Sequence, residues 1–223
     1  VFIEDDYKNN LVSKPWGHEY LIYENNNLGI WILYIDEQER TSFHCHSKKL
    51  TGLIVLEGNV EVSFLENKST LKPFEKVMIR RGLFHSTKSI SKNGSIIIEI
   101  ETPKHKNDLI RLEDNYGRQG QSYENKTKYK AKDSSHLWIE EGKLSKFLNY
   151  KFEIVNVDAE SDLPNMNDND ICILLSGGFY NKSQQDVLEV LSVGDCFYYR
   201  IYKTINKSIH GMLDNTKVLI LRK

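Results

Sequence analysis

Apolar and aromatic runs of four to seven residues alternate with turns rich in Asn, Asp, Gly and Lys along most of the chain. Such short runs predict strands rather than helices. Candidate strands are Glu19 to Tyr23, Ile30 to Ile35, Leu53 to Leu56, Asn59 to Leu65, Lys76 to Ile79 and Ser95 to Glu101. After a break come Phe152 to Val157, Ile171 to Leu175, Val187 to Leu191, Cys196 to Tyr202 and Lys217 to Leu221. Glu57-Gly58-Asn59 and Lys92-Asn93-Gly94 supply hairpin chemistry, because Gly and Asn tolerate the positive φ of tight turns. The expected class is all-β, a sandwich or barrel.

Between Gln119 and Ser135 aliphatic residues nearly vanish, the mark of a linker or surface loop. Leu137, Leu144, Phe147 and Leu148 then fall near helical spacing, so a short helix is expected there despite Gly142. The strands on either side come into register at a displacement of 120 residues: Gly58 falls on Gly178, Phe74-Glu75 on Gly194-Asp195, and Ile98 to Ile100 on Val218 to Ile220. The expected organisation is one β-domain over 1–118, a linker over 119–149 and a second β-domain over 150–223.

Composition narrows the function. Thirty Lys and Arg against 31 Asp and Glu, spread evenly, give no basic face for nucleic acid. No apolar run approaches the roughly 20 residues that cross a bilayer as a helix. Three cysteines, Cys45, Cys172 and Cys196, are odd in number and far apart, which fits a reducing compartment. A soluble cytoplasmic protein is expected, with neither nucleic acid nor membrane as partner.

Candidate chemistry gathers on His44, His46 and His85. Residues two apart on a strand share a face, so His44-Cys45-His46 turns both imidazoles one way and the thiol the other. His85 follows the turn Arg80-Arg81-Gly82-Leu83-Phe84, and a third imidazole arriving there completes a nitrogen set for a divalent transition metal. Ile98-Glu99-Ile100-Glu101 alternates strictly and sends both carboxylates to one side, either toward such a site or into solvent. Trp31 is expected in the core, Cys45 is expected as a packed thiol, and His18, His105 and His136 are expected at the surface.

These landmarks resemble the two motifs of the cupin family, G-x5-H-x-H-x(3,4)-E-x6-G and G-x5-P-x-G-x2-H-x3-N. Gln38, His44, His46, Thr51 and Gly58 fall on the first, and Phe74, Arg80, Gly82, His85 and Ser89 on the second. Gln38 and Phe74 stand in place of the leading glycines, and Thr51 in place of the anionic glutamate ligand. A closer resemblance is to the type II phosphomannose isomerase domain. Lys14-Pro15-Trp16-Gly17 is similar to its opening, Arg40 to His46 lines up on its R-L-S-L-Q-M-H, and Asn107 to Arg118 resembles its E-D-D-I-V-R-x-E-D-x-Y-G-R.

The resemblance implies two cupin-type β-barrels, double-stranded β-helices, with the second degenerate. It implies one divalent metal, Zn, Mn, Ni or Fe, on His44, His46 and His85. The implied activity is isomerisation or epimerisation of a sugar phosphate or nucleotide sugar, in surface-polysaccharide metabolism. Glu99 or Glu101 would be the fourth ligand or the base, and Arg111 and Arg118 would hold phosphate or stabilise an enediolate. Lys49, Arg80 and Thr51 complete the substrate side. Arg111, Glu113, Asp114 and Arg118 could equally form an ion-paired clasp on the terminal loop. Cupins commonly pair through strand edges, so a homodimer is expected. The missing glutamate keeps two other functions open, a three-histidine non-haem iron oxygenase and a non-catalytic sugar-binding protein. The 120-residue register puts Pro164, Met166, Ile171 and Ile205 at the positions of His44, His46, Thr51 and His85, which predicts a metal-free second half.

Overall fold

A computed structural model describes residues 10–120, 128–130, 136–158, 163–164, 166–182 and 186–223. Two compact units divide the chain, one of Val1–Glu24 and Gly29–His136, the other of Asn25–Leu28 and Leu137–Lys223. Both are built mainly of strands.

The strands of the first unit are β1 (Asn10–Lys14), β2 (Gly17–Glu24), β3 (Gly29–Ile35), β4 (Phe43–Cys45), β5 (Leu50–Glu57), β6 (Val60–Phe64), β7 (Lys68–Leu71), β8 (Lys76–Ile79), β9 (His85–Ser89), β10 (Ser95–Thr102), β11 (Ile110–Glu113) and β12 (Lys128–Lys130). They form a seven-stranded sheet, β12-β1-β2-β3-β10-β5-β8, and a five-stranded sheet, β11-β4-β9-β6-β7. Nearly continuous apolar runs such as Ile30 to Leu33 and Ile97-Ile98 are buried on both faces of the central strands. Trp31, expected in the core, is fully buried.

The second unit contains β13 (Ser145–Phe147), β14 (Tyr150–Asn156), β15 (Ile171–Ser176), β16 (Phe179–Lys182), β17 (Val187–Leu191), β18 (Cys196–Tyr198), the helix α1 (Tyr199–Ile205), β19 (Gly211–Met212) and β20 (Lys217–Arg222). Its sheets run β13-β14-β20-β15-β18 and β17-β16-β19. At a displacement of 120 residues β14-β20-β15-β18 repeats β3-β10-β5-β8 of the first unit and β17-β16 repeats β7-β6, while β19 falls just beyond β9. One register is the same to the residue: Ile54 pairs with Ile98, and Leu174 with Val218. A turn clasp recurs as well, since Glu75 accepts from the Lys72 N–H at 2.8 Å and Asp195 from the Ser192 N–H at 2.7 Å.

Two local expectations need correction. Residues 136–148 form turns and β13 and contain no helix. The run Cys196 to Tyr202, expected as one strand, breaks at Tyr198 into α1. The Tyr199 and Arg200 N–H groups donate to the carbonyls of Asp170 and Asp168, at 2.8 and 3.0 Å, which ends the ladder. Tyr202 then turns into an apolar cluster with Met166, Phe179, Leu191 and Phe197. A distant partner outweighs the β-propensity of an aromatic run.

Candidate metal centre

His44 on β4 is the direct cross-strand partner of His85 on β9, and Arg111 on β11 pairs with His44 from the other side. One row across the smaller sheet therefore carries Arg111, His44 and His85. His46 lies just beyond β4, and the Gly82 N–H donates to its carbonyl at 2.7 Å. Gly82 holds a φ of 74°, which is what allows the chain to turn there into β9. The two histidine segments are thereby tied together.

The imidazole ligand atoms of His44, His46 and His85 lie within 4.8 Å of one another, and all three residues are buried. Each ring is oriented by a backbone carbonyl. His44 Nδ1 faces the Ser42 carbonyl at 2.7 Å, His85 Nδ1 the Leu83 carbonyl at 2.9 Å, and His46 Nδ1 the Asp108 carbonyl. A carbonyl only accepts, so the ring proton sits on Nδ1 and each Nε2 keeps a lone pair. His46 Nε2 is buried without a hydrogen-bond partner. Neutral rings with converging acceptors, that of His46 orphaned, fit a divalent metal: with Zn–N lengths of about 2.1 Å, movements below about 1 Å close the set.

Electrostatics keep these rings neutral. Burial lowers the affinity of His44 for a proton far below the ordinary value, helped by His85 and His46. Burial and the Lys49 ammonium bring His46 down to about 3, against the opposing carbonyl of Asp108. His85 falls to about 4 through burial, despite its bond to Leu83.

The rings open into a cavity of about 620 Å³, its open mouth included, lined from both sheets of the first unit. Five cations, Lys14, Lys49, Lys106, Arg111 and Arg118, face three acids, Glu19, Glu99 and Glu101. The balance favours an anionic ligand. The side chains of Lys49 and Glu101 are each 2 % exposed and form an ion pair of 2.5 Å. Lys106 lies 3.2 Å from Glu101, 3.3 Å from Glu19 and 3.5 Å above the centroid of Trp31. Burial would raise Glu101, but Lys106 and Lys49 overcome it and hold the carboxyl well below its ordinary range. Glu99 moves the other way, raised by burial and then by the charge of Glu101. Lys106 is held firmly protonated, because Glu101, Glu19 and Glu99 outweigh its burial.

Both Glu99 and Glu101 thus face the cavity rather than solvent, yet the metal-capable cluster among the described residues holds no carboxylate. Thr51 is buried opposite Glu101, and its hydroxyl has no hydrogen-bond partner. It is not part of the cavity lining. Arg80, expected at the rim, is exposed and outside the lining, because its turn directs it outward; the neighbouring Arg81 donates to the Lys48 carbonyl at 2.8 Å. His18 and His136, expected at the surface, are half-buried against Tyr34 and Tyr20, whereas His105 is exposed. Cys45 is a packed thiol turned away from the histidines.

Within the terminal motif, the expected ion pairing is made by Asp114 and Arg118. Asp114 accepts from Arg118 Nη2 at 2.6 Å and from the Arg118 N–H at 2.7 Å, a clasp, while Arg118 also lines the cavity. Arg111 Nε donates to Ser42 Oγ at 3.3 Å beside His44. Sequence reasoning missed Asp108, whose carboxylate accepts from the N–H groups of Ser47, Lys48 and Lys49 at 3.0, 2.7 and 3.0 Å. It missed Lys14, Glu19 and Lys106 as well: nothing local marks them as facing a cavity, and Lys106 meets Glu19 from a distant part of the chain.

In the second unit, Met166 is part of the apolar cluster and Ile205 packs against it. At a displacement of 120 residues, α1 stands where the first unit has the turn that delivers His85.

Residues 4–114 match the family model described as mannose-6-phosphate isomerase C-terminal. No curated protein matches the chain in sequence. Similar solved structures include KdgF from Halomonas sp., at 16 % identity over 46 % of this chain and 86 % of that one, with a TM-score of 0.38. An RmlC-like cupin from Shewanella frigidimarina is similar at 15 % identity over 48 % and 94 %, TM-score 0.40. The cupin domain of Schizosaccharomyces pombe Cnp3 is similar at 13 % identity over 39 % and 64 %, TM-score 0.36. With the family match and the histidine geometry together, the amino-terminal unit resembles a cupin-superfamily, double-stranded β-helix domain distantly related to the mannose-6-phosphate isomerase domain, and it carries a three-histidine site able to hold a metal.

Proposed function

We infer that the first unit is a metal-dependent enzyme acting on a phosphorylated sugar or nucleotide sugar, by isomerisation or epimerisation. The observation that carries this reading is the three-histidine cluster at the wall of a cavity whose cations outnumber its acids. His44, His46 and His85 would hold the metal, which when bound polarises a carbonyl or hydroxyl oxygen as a Lewis acid. Arg111, beside His44 in the sheet, offers a planar fork to paired phosphate oxygens, and Arg118 is held ready by Asp114. Lys49 and Lys106 add positive charge on the cavity wall. Glu99, raised by its surroundings, can hold a proton near neutral pH and return it to the carbon next to a carbonyl. The second unit, read as a degenerate cupin, supports the same strand order on an apolar interior.

The test is a cobalt-loaded protein incubated in deuterium oxide with hexose phosphates, nucleotide sugars and their dephosphorylated forms. Deuterium entering next to the carbonyl of a phosphorylated sugar, and lost in Glu99→Gln with binding kept, is the expected result. Exchange that ignores the phosphate, or survives Glu99→Gln, contradicts it. The absence of a carboxylate from the histidine cluster favours a second reading, a three-histidine iron oxygenase. Dioxygen consumption by iron-loaded protein without deuterium exchange would select that one.

A further inference from the structure

The buried pair Lys49–Glu101 has no counterpart in the deuterium-exchange chemistry, and its surroundings are unusual. Glu101 lies directly across the β5–β10 ladder from Thr51. One of its oxygens, Oε1, is held by Lys49 at 2.5 Å and Lys106 at 3.2 Å. The other, Oε2, is buried without a hydrogen-bond partner, as are His46 Nε2 and the Thr51 hydroxyl. An ionised carboxylate oxygen stripped of water and left unpaired is costly, and costs of this kind persist where a ligand relieves them. Lys49 lines the same cavity as His44, His46 and His85, and its charge opposes a divalent cation at the three rings.

We propose that Lys49 is an internal cation that holds Glu101 away from the histidine site, and that a divalent metal and Lys49 compete for this carboxylate. The proposal rests on the metal reading above and adds its regulation. When the ion enters, Glu101 exchanges one cation for another and supplies the anionic group that position 51 lacks. Lys106 stays on Glu101 as its second cation, so the carboxylate is never left bare. Asp108 holds the Lys49 backbone N–H at 3.0 Å, so the exchange moves the side chains of Lys49 and Glu101 and leaves the Lys49 backbone in place. A site built this way takes up metal weakly, with the internal ammonium as the default occupant of Glu101.

Titration calorimetry with cobalt(II) chloride on the full chain tests this. Lys49→Met should bind cobalt at least tenfold more tightly than the wild type, and Lys49→Arg, which keeps the charge, should not. In the Glu101→Gln background the gain from Lys49→Met should shrink below threefold. A second measurement needs no variant: acetic anhydride labelling of Lys49, read by mass spectrometry, should rise at least threefold when the wild type is loaded with cobalt. No tightening in Lys49→Met, a gain that survives Glu101→Gln, or unchanged labelling of Lys49 in cobalt-loaded protein overturns the competition and leaves the metal reading standing. If neither the wild type nor Lys49→Met takes up cobalt, both fall. Uptake by Lys49→Met alone supports the proposal in its strongest form.

Discussion

Gln38 and Phe74 occupy the places that the cupin motifs give to glycine, and both adopt left-handed backbone, at φ of 62° and 73°. The geometry of the motif is retained without the residue that favours it. Gln38 is exposed, so its side chain contributes little else. Gln38→Gly should therefore stabilise the first unit by about 0.5–1 kcal/mol, the relief of strain exceeding the entropy that glycine brings to the unfolded chain. Urea unfolding checks this. Asp108 is the opposite case, a side chain that holds others in place. Asp108→Ala leaves three backbone N–H groups and the Ser47 hydroxyl without their acceptor. A loss of about 2–3 kcal/mol is expected, measured by the same unfolding, with weaker cobalt binding because the turn after His46 loosens. Asp108→Asn should recover part of the stability.

Strand identity was legible because short aliphatic runs bounded by turn residues write their pattern locally. Lys76–Ile79 and Val187–Leu191 match expectation to the residue, and Ser95–Thr102 and Ile171–Ser176 to within one. Lys68–Leu71 escaped because it carries no apolar alternation, and Ile110–Glu113 because its alternation is short and its apolar side chains are exposed; both exist through the ladders beside them. The helix α1 escaped for a different reason. Its residues have strand composition, but Tyr202 is buried in a cluster assembled from widely separated stretches of chain. Tyr202→Ala should cost about 3–5 kcal/mol of stability in the second unit, by analogy with other buried aromatic truncations. Differential scanning calorimetry would then show the transition of the second unit moving to lower temperature, with the cobalt affinity of the first unit unchanged.

Stability and pH are linked through the histidines of the first unit. His46 and His85 titrate near 3 and 4 when folded, against 6.5 when unfolded. Between those values the unfolded chain binds more protons, so stability is full above about pH 6.5 and is lost as pH falls toward 4. At pH 5 each of the two should have removed about 2 kcal/mol relative to neutral pH. Urea unfolding of metal-free protein at pH 7 and pH 5 measures the difference, and His46→Gln should shrink it. A flat profile would mean that these rings are not buried and neutral. Among the described residues, no helix is long and apolar enough to cross a membrane.

The spacing of His44, His46 and His85, the alternation at Glu99 and Glu101 and the 120-residue recurrence could all be read without coordinates, because each is a relation between neighbours or between like segments. Which charges meet could not. Lys49, Glu19 and the stretch that carries Glu101 and Lys106 are three separate parts of the chain, and their pairing follows from the way two sheets line one cavity. Periodicity reports which side of a strand a residue occupies; what stands across the cavity from it is set by the packing of distant strands.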